Sequence, residues 1–120
     1  MEAYDIGSAF GDLGEVEFRT LATFNRGTIG VFWASSGISP WERHPDDEEL
    51  LQVIEGSVDI EVLTAEGSEI TTVSAGSVFV VPRGHWHRHR HTGVVKELYL
   101  TPGPSDTSFE EDPRVSPGDT

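Results

Sequence analysis

The stretch WERHPDDEELLQVIEG, from Trp41 to Gly56, decides the fold because it admits two incompatible interpretations. Four acidic residues, 46 to 49, precede a run rich in leucine, as in the first turn of a helix. Alternatively, His44 and Glu49 flank a tight turn between two strands, with both side chains directed into a barrel and Gly56 ending the second strand. The strand interpretation implies a metal site.

The sequence that follows favours the strand. A helix begun at Asp46 would have to stop by Gly56 and lead at once into residues 57–62, where polar and apolar residues alternate strictly. A strand that ends at Glu55 and Gly56 instead forms a simple hairpin with this alternating segment. We therefore predict a strand over residues 50–54 and a hairpin after it.

Glycine turns recur roughly every ten residues along the chain, which leaves little room for helices. Between the turns lie short runs rich in β-branched and aromatic residues, at 15–24, 28–34, 57–63, 70–73, 77–81 and 94–101. Many short strands at this spacing are typical of a sandwich or barrel. We predict one all-β domain over residues 1–101, because a chain of 120 residues can bury a single core.

From Pro102 onward the composition changes. Residues 102–120 contain four prolines and five acidic residues against one arginine, with few apolar side chains. Such a segment cannot bury enough apolar surface to order itself alone. We predict a flexible acidic tail over residues 102–120.

Charge and composition exclude several classes of function. The net charge of −13 opposes binding to a phosphate backbone or to anionic lipids, so we expect neither nucleic acid nor a membrane as partner. No cysteine is present, so a metal would have to be held by histidine and carboxylate. The first residues carry no basic segment followed by an apolar run, which predicts a cytoplasmic protein.

The first candidate site lies in the opening stretch. Glu42, His44 and Glu49 are spaced E-x-H-x4-E, and Gly56 follows after six residues. Glu42 and His44 share one face of a strand because side chains alternate. After the turn at residues 45–47, Glu49 returns to that face on the partner strand.

The second candidate site has the spacing G-x5-P-x-G-x2-H, formed by Gly76, Pro82, Gly84 and His87. Alternation beyond the turn directs three histidines to one side of a strand, His87, His89 and His91. Trp86, Arg88 and Arg90 project to the other side, where the arginines are expected to pair with acidic residues. The two segments together supply nitrogen and oxygen donors.

These two segments resemble the conserved motifs of the cupin family. His44, Glu49 and Gly56 match the first motif, but Glu42 stands where its first histidine is usual and Ser36 where its leading glycine is usual. The second motif matches from Gly76 to His87, with His91 in place of the usual asparagine. The resemblance covers about residues 28–101 and implies a small jelly-roll barrel with one divalent metal ion in its mouth.

The resemblance also implies the metal ligands, His44, Glu49 and His87, with Glu42 in the fourth place. Glu42 could instead form an ion pair and leave a site of three ligands. Two imidazoles and a carboxylate suit Fe, Mn, Ni or Zn, and they leave positions open for a substrate or dioxygen. The sequence does not choose among these metals.

The leading functional hypothesis is a metal-dependent enzyme on a small organic molecule, of the dioxygenase, isomerase or cyclase type. His89 or His91 would move a proton as the catalytic side chain. The alternative is a non-catalytic cupin that binds or senses a small ligand. We also expect a homodimer, because small barrels leave sheet edges and large aromatic side chains poorly covered.

Overall fold

The computed structural model describes residues 1–114, and its regular secondary structure is almost entirely strand. One short helix, α1 (Ile6–Ala9), precedes eleven strands: β1 (Arg19–Phe24), β2 (Gly27–Ala34), β3 (Gly37–Ile38), β4 (Trp41–Arg43), β5 (Glu49–Glu55), β6 (Ser57–Thr64), β7 (Gly67–Ser74), β8 (Val78–Val81), β9 (His87–His91), β10 (Val95–Pro102) and β11 (Asp106–Ser108). The predicted all-β class is confirmed.

The strands form two sheets in a jelly roll. One sheet has the order β1-β2-β10-β5-β8, and the other has the order β11-β4-β9-β6-β7 with β3 added beside β9. The pairings within both sheets of the described chain are antiparallel. The core between the sheets contains alternate residues of several strands, among them Leu51, Val53, Ile60, Val81 and Val95.

Residues 49–55 form a strand, so the strand interpretation of the opening stretch is correct. Its alternate residues Glu49, Leu51 and Val53 are buried, whereas the intervening residues are only partly covered. The rejected helix would have dispersed these side chains around its circumference.

The predicted hairpins on either side of this strand are wrong. β5 pairs with β10 and β8, whereas β4 and β6 both belong to the opposite sheet. The chain therefore crosses from one sheet to the other at residues 44–48 and again at Gly56. Sequence proximity suggested local pairing, but burial of both sheets' inner faces against each other determines the partners here.

Gly56 makes the second crossing possible. Its φ of +79° lies in the left-handed region, and an added Cβ would overlap the carbonyl oxygen of Val94. A side chain at position 56 would fit neither the backbone conformation nor the space, which is the physical reason for a glycine here.

We expect Gly56→Ala to destabilise the protein by about 3 kcal/mol or more, from backbone strain plus the overlap with Val94. Gly76→Ala is the matched control, since Gly76 has a φ of +87° but open space around it. That variant should be destabilised by backbone strain alone, roughly 1–2 kcal/mol. Urea unfolding of both proteins measures the difference, and equal losses would contradict the steric explanation.

The C-terminal segment contains a strand that its composition did not indicate. Asp106–Ser108 pairs with β4, and the Asp106 carboxylate accepts hydrogen bonds from Arg43 at 2.7 and 3.0 Å. Trp41 donates a hydrogen bond to the backbone oxygen of Glu111 at 3.2 Å. Part of the segment after Pro102 thus lies against the barrel beside the candidate site, and residues 115–120 of the predicted tail lie outside the described residues.

Large apolar side chains are exposed on several strands, including Phe24, Ile70, Val78 and Val80. Such residues are consistent with the expected homodimer, which stays a prediction, as does the cytoplasmic location. The part of the chain that the structure describes contains no helix long and apolar enough to cross a membrane.

Candidate metal centre

Four side chains converge where the two sheets approach each other. Glu42 lies on β4 directly opposite His87, the first residue of β9, and His44 follows the end of β4. Glu49 enters from the other sheet as the first residue of β5. The crossing at residues 44–48 therefore brings together donors that two separate sheets carry.

The donor atoms of these residues are close enough to share one ion. Each residue offers one ligand atom, and all four atoms lie within 4.8 Å of one another. The Nε2 atom of His44 is 2.9 Å from Glu42 Oε1 and 3.5 Å from Glu49 Oε2, and the Nε2 atom of His87 is 3.0 Å from Glu49 Oε1. The structure thus brings together all four predicted ligands.

The hydrogen bonding of this cluster fits a metal ion. Both ring nitrogens of His44 and the Nδ1 atom of His87 are buried and make no hydrogen bond of proper geometry. Glu42 Oε1 is near His44 Nε2 but lies outside its donor direction, although the distance alone would suit a bond. Buried polar atoms without partners are rare, and a cation in the cluster would give one to His44 Nε2, the nitrogen that faces Glu42 and Glu49.

The electrostatics of the cluster also favour a cation. Burial alone lowers the pKa of His44, but the Glu42 and Glu49 carboxylates outweigh it and raise that pKa to about 9. Burial alone raises the pKa of Glu49, but His44 and His87 outweigh it and lower that pKa. Glu49 is therefore an anion, and His44 holds a proton whose place a divalent ion would take.

Glu42 is the least buried member of the cluster, with 42% of its side chain exposed against 6% or less for the other three. It nevertheless lies on the same side of β4 as His44, as alternation along the strand predicts. Its Oε1 atom is 3.9 Å from His87 Nε2. Glu42 can therefore reach a shared ion and also contact a ligand in front of it.

The cluster opens into a cavity of about 690 Å³ between the sheets. Its wall includes Glu42, Glu49, His87, His89 and His91 and, apart from these, mostly apolar or small side chains. A volume of this size suits a small organic molecule.

A model of the cupin domain family matches residues 31–100 of the chain. The chain belongs to the cupin family. Germin-like protein subfamily T member 2 of Arabidopsis thaliana is 35% identical to this cupin over 96 residues, which are 79% of this chain and 44% of the plant protein. The chain spans between 32% and 44% of the length of three plant germin-like proteins that it matches.

Two solved structures show the same fold as this cupin. A cupin-2 domain protein of Shewanella frigidimarina has a TM-score of 0.72 at 22% identity, covering 83% of this chain and 94% of that one. A hydroquinone 1,2-dioxygenase in complex with Cd²⁺ and 4-hydroxybenzonitrile has a TM-score of 0.67 at 18% identity, covering 83% and 72%.

A second cluster of titratable side chains lies deeper in the barrel. The Oε2 atom of Glu97 is 3.2 Å from His89 Nδ1 and 3.7 Å from His91 Nε2. The Glu97 side chain is fully buried, and its Oε1 atom has no partner among the described residues. Burial alone raises the pKa of Glu97, but His89 and His91 outweigh it and lower that pKa.

The sequence interpretation missed Glu97, although a signal was present. Val95, Glu97 and Tyr99 alternate along β10, and all three are buried. The inward parity of Val95 and Tyr99 places Glu97 inside the barrel, but the strand predicted over residues 94–101 was not examined for the side each residue faces.

The outer face of β9 behaves as predicted. Arg88 and Arg90 donate hydrogen bonds to Glu61 Oε1 at 2.7 and 3.0 Å. The Arg88 guanidinium also lies 4.2 Å from the centre of the Trp41 ring. These contacts keep both arginines out of the cavity.

Proposed function

We propose that this cupin is a metal-dependent enzyme of the oxygenase or isomerase type that acts on a small organic molecule. The observation that carries the proposal is the convergence of Glu42, His44, Glu49 and His87 on one point in the cavity wall. The Nε2 atom of His44 supports it, because this nitrogen is buried beside two carboxylates and makes no hydrogen bond to any described residue.

A bound Fe, Mn, Ni or Zn ion would supply Lewis acidity toward a substrate oxygen and, where the metal is redox-active, access to dioxygen chemistry. The protein positions the donors through two rigid strands and one crossing. His44, Glu49 and His87 are almost fully buried, so water has little access to them from behind. Glu42 is the ligand that meets the cavity contents first.

His89 is the best placed side chain to move a proton. It lines the cavity, and its Nδ1 atom contacts the buried Glu97 carboxylate at 3.2 Å. Burial alone lowers the pKa of His89, but the Glu97 carboxylate outweighs it and raises that pKa. The carboxylate holds a proton on Nδ1, so Nε2 is the atom that exchanges a proton with a bound molecule. His91 lies behind it, with the two rings stacked at 5.7 Å, and is the second candidate.

A non-catalytic binding cupin is the competing function. The observation in its favour is Glu42, because a carboxylate replaces the histidine that is usual at this place in the family. In that case the protein would retain the pocket and the metal but not the chemistry. Glu42 therefore discriminates between the two functions.

Replacement of Glu42 tests the proposal. If Glu42 is a ligand, Glu42→Gln should weaken Zn²⁺ binding by at least ~10-fold, because a neutral amide oxygen is a poorer donor, while Glu42→His should preserve it. Isothermal titration with Zn²⁺ measures both affinities. Dioxygen uptake by the Fe²⁺-loaded proteins, with hydroquinone as probe, measures turnover in parallel.

The outcomes separate the possible roles. Unchanged Zn²⁺ affinity with lost oxygen uptake in Glu42→Gln would make Glu42 a base beside an ion held by three ligands. Unchanged affinity and unchanged uptake would contradict its place in the site. Zn²⁺ binding with no uptake in the unmodified protein, for hydroquinone and other small organic probes, would favour the binding module.

A further inference from the structure

The cavity wall carries two carboxylates and no lysine or arginine among the described residues. Among the described residues that line it, the only formally charged side chains at neutral pH besides the histidines are Glu42 and Glu49. No lysine or arginine is among them; Arg88 and Arg90 point to the other face of β9 and bind Glu61. A carboxylate ligand would thus find no lysine or arginine to pair with, and His89 already contacts the Glu97 carboxylate at 3.2 Å.

The proposed metal would not make up this deficit. Glu42 and Glu49 together balance the charge of a divalent ion, so the loaded site carries no excess positive charge. The family's usual histidine in place of Glu42 would leave the same site with one net positive charge. Glu97, which contacts His89 and His91, offsets positive charge on those two rings.

The remainder of the wall is aromatic on one side. The rings of Phe18, Phe32 and Tyr99 contact one another, with centroids 5.0 Å, 5.9 Å and 6.2 Å apart. Phe32 also contacts the rings of His89 and His91 edge-on at 5.8 and 6.4 Å. The aromatic wall therefore extends up to the polar groups of the cavity. A ligand could place its ring against the wall and a hydroxyl group of that ring against the polar groups.

We infer that the cavity takes a neutral aromatic molecule that carries a hydroxyl group, a phenol, and discriminates against small carboxylates. The inference rests on the proposed function for the metal, but the aromatic wall and the absence of lysine and arginine from the described lining hold without it. Burial of a carboxylate without a cationic partner is costly, whereas a phenol needs only an apolar wall and one polar contact.

Isothermal titration of the Zn²⁺-loaded protein with two probes, hydroquinone and oxalate, measures the affinity for each. Hydroquinone should bind at least ~10-fold more tightly than oxalate. Phe18→Ser, at the exposed end of the aromatic wall, should weaken hydroquinone binding by ~3–10-fold. Phe24→Ser is the matched control, because Phe24 is a similarly exposed phenylalanine outside the cavity, and it should change neither affinity.

Removal of the Glu42 charge tests the role of this residue in the choice. Glu42→His should raise oxalate affinity by at least ~10-fold, since it leaves the loaded site with a net positive charge. Oxalate binding as tight as hydroquinone binding in the unmodified protein would overturn the inference, and so would equal effects of Phe18→Ser and Phe24→Ser.

Metal content measured on the same samples separates the two proposals. If the protein takes up no Zn²⁺, the proposed metal-dependent function fails, but the metal-free protein should still prefer hydroquinone and should still respond to Phe18→Ser. A metal-free protein that binds neither probe, or prefers oxalate, would overturn the phenol inference by itself.

Discussion

Replacing His87 with alanine should reduce the metal content of the purified protein from close to one ion per chain to near zero. His87 is 1% exposed, and its Nε2 atom faces Glu49 at 3.0 Å and Glu42 at 3.9 Å. Removing a residue that only hydrogen-bonds to a metal ligand lowers metal affinity by about 10–100-fold. Removing a ligand itself should therefore lower the affinity by more than ~100-fold. Elemental analysis of the untagged protein measures the content.

His85→Ala is the matched control for this experiment. His85 lies two residues earlier on the same segment, and its Nδ1 atom is 3.0 Å from the backbone oxygen of Arg83 rather than near the cluster. This variant should keep its metal. Equal metal content in His85→Ala and His87→Ala, with both proteins folded by circular dichroism, would refute the assigned ligand set.

Much of this centre was predictable because its residues obey local rules. Strand alternation placed Glu42 with His44, and the spacing to Gly56 indicated a strand rather than a helix. The same alternation separated His87 from Arg88 and gave each its correct side. Such arguments need only the alternation of side chains along a strand, which can be read directly from the sequence.

What could not be predicted depends on contacts between distant segments. The pairing of β5 with β10 rather than with its sequence neighbours follows from how two sheets share one core, and no single turn encodes it. Strand β11 forms because β4 offers a free edge and Arg43 binds Asp106. The composition of this segment, rich in proline and acidic residues, does not indicate that it pairs with β4 or that Arg43 binds it.

Replacing Glu97 with glutamine should reduce turnover by ~10²–10⁴-fold and leave the metal content unchanged. The ionised Glu97 carboxylate only accepts hydrogen bonds, so it holds the proton of His89 on Nδ1. A glutamine amide can donate to Nδ1 instead, which moves the ring proton to Nε2 and removes the base from the cavity. Comparable tautomer errors in catalytic histidines cost up to about 10⁴-fold.

One measurement distinguishes a positioning role of Glu97 from a merely structural one. Nitrogen NMR of the His89 ring reports which nitrogen carries the proton, and it should switch from Nδ1 to Nε2 in Glu97→Gln. Glu61→Gln is the matched control, a buried glutamate that binds Arg88 and Arg90 outside the cavity. Its His89 signal and its oxygen uptake with hydroquinone should stay unchanged. An unaltered His89 tautomer and full turnover in Glu97→Gln would show that the buried carboxylate serves packing alone, and that the proton must be moved by another group.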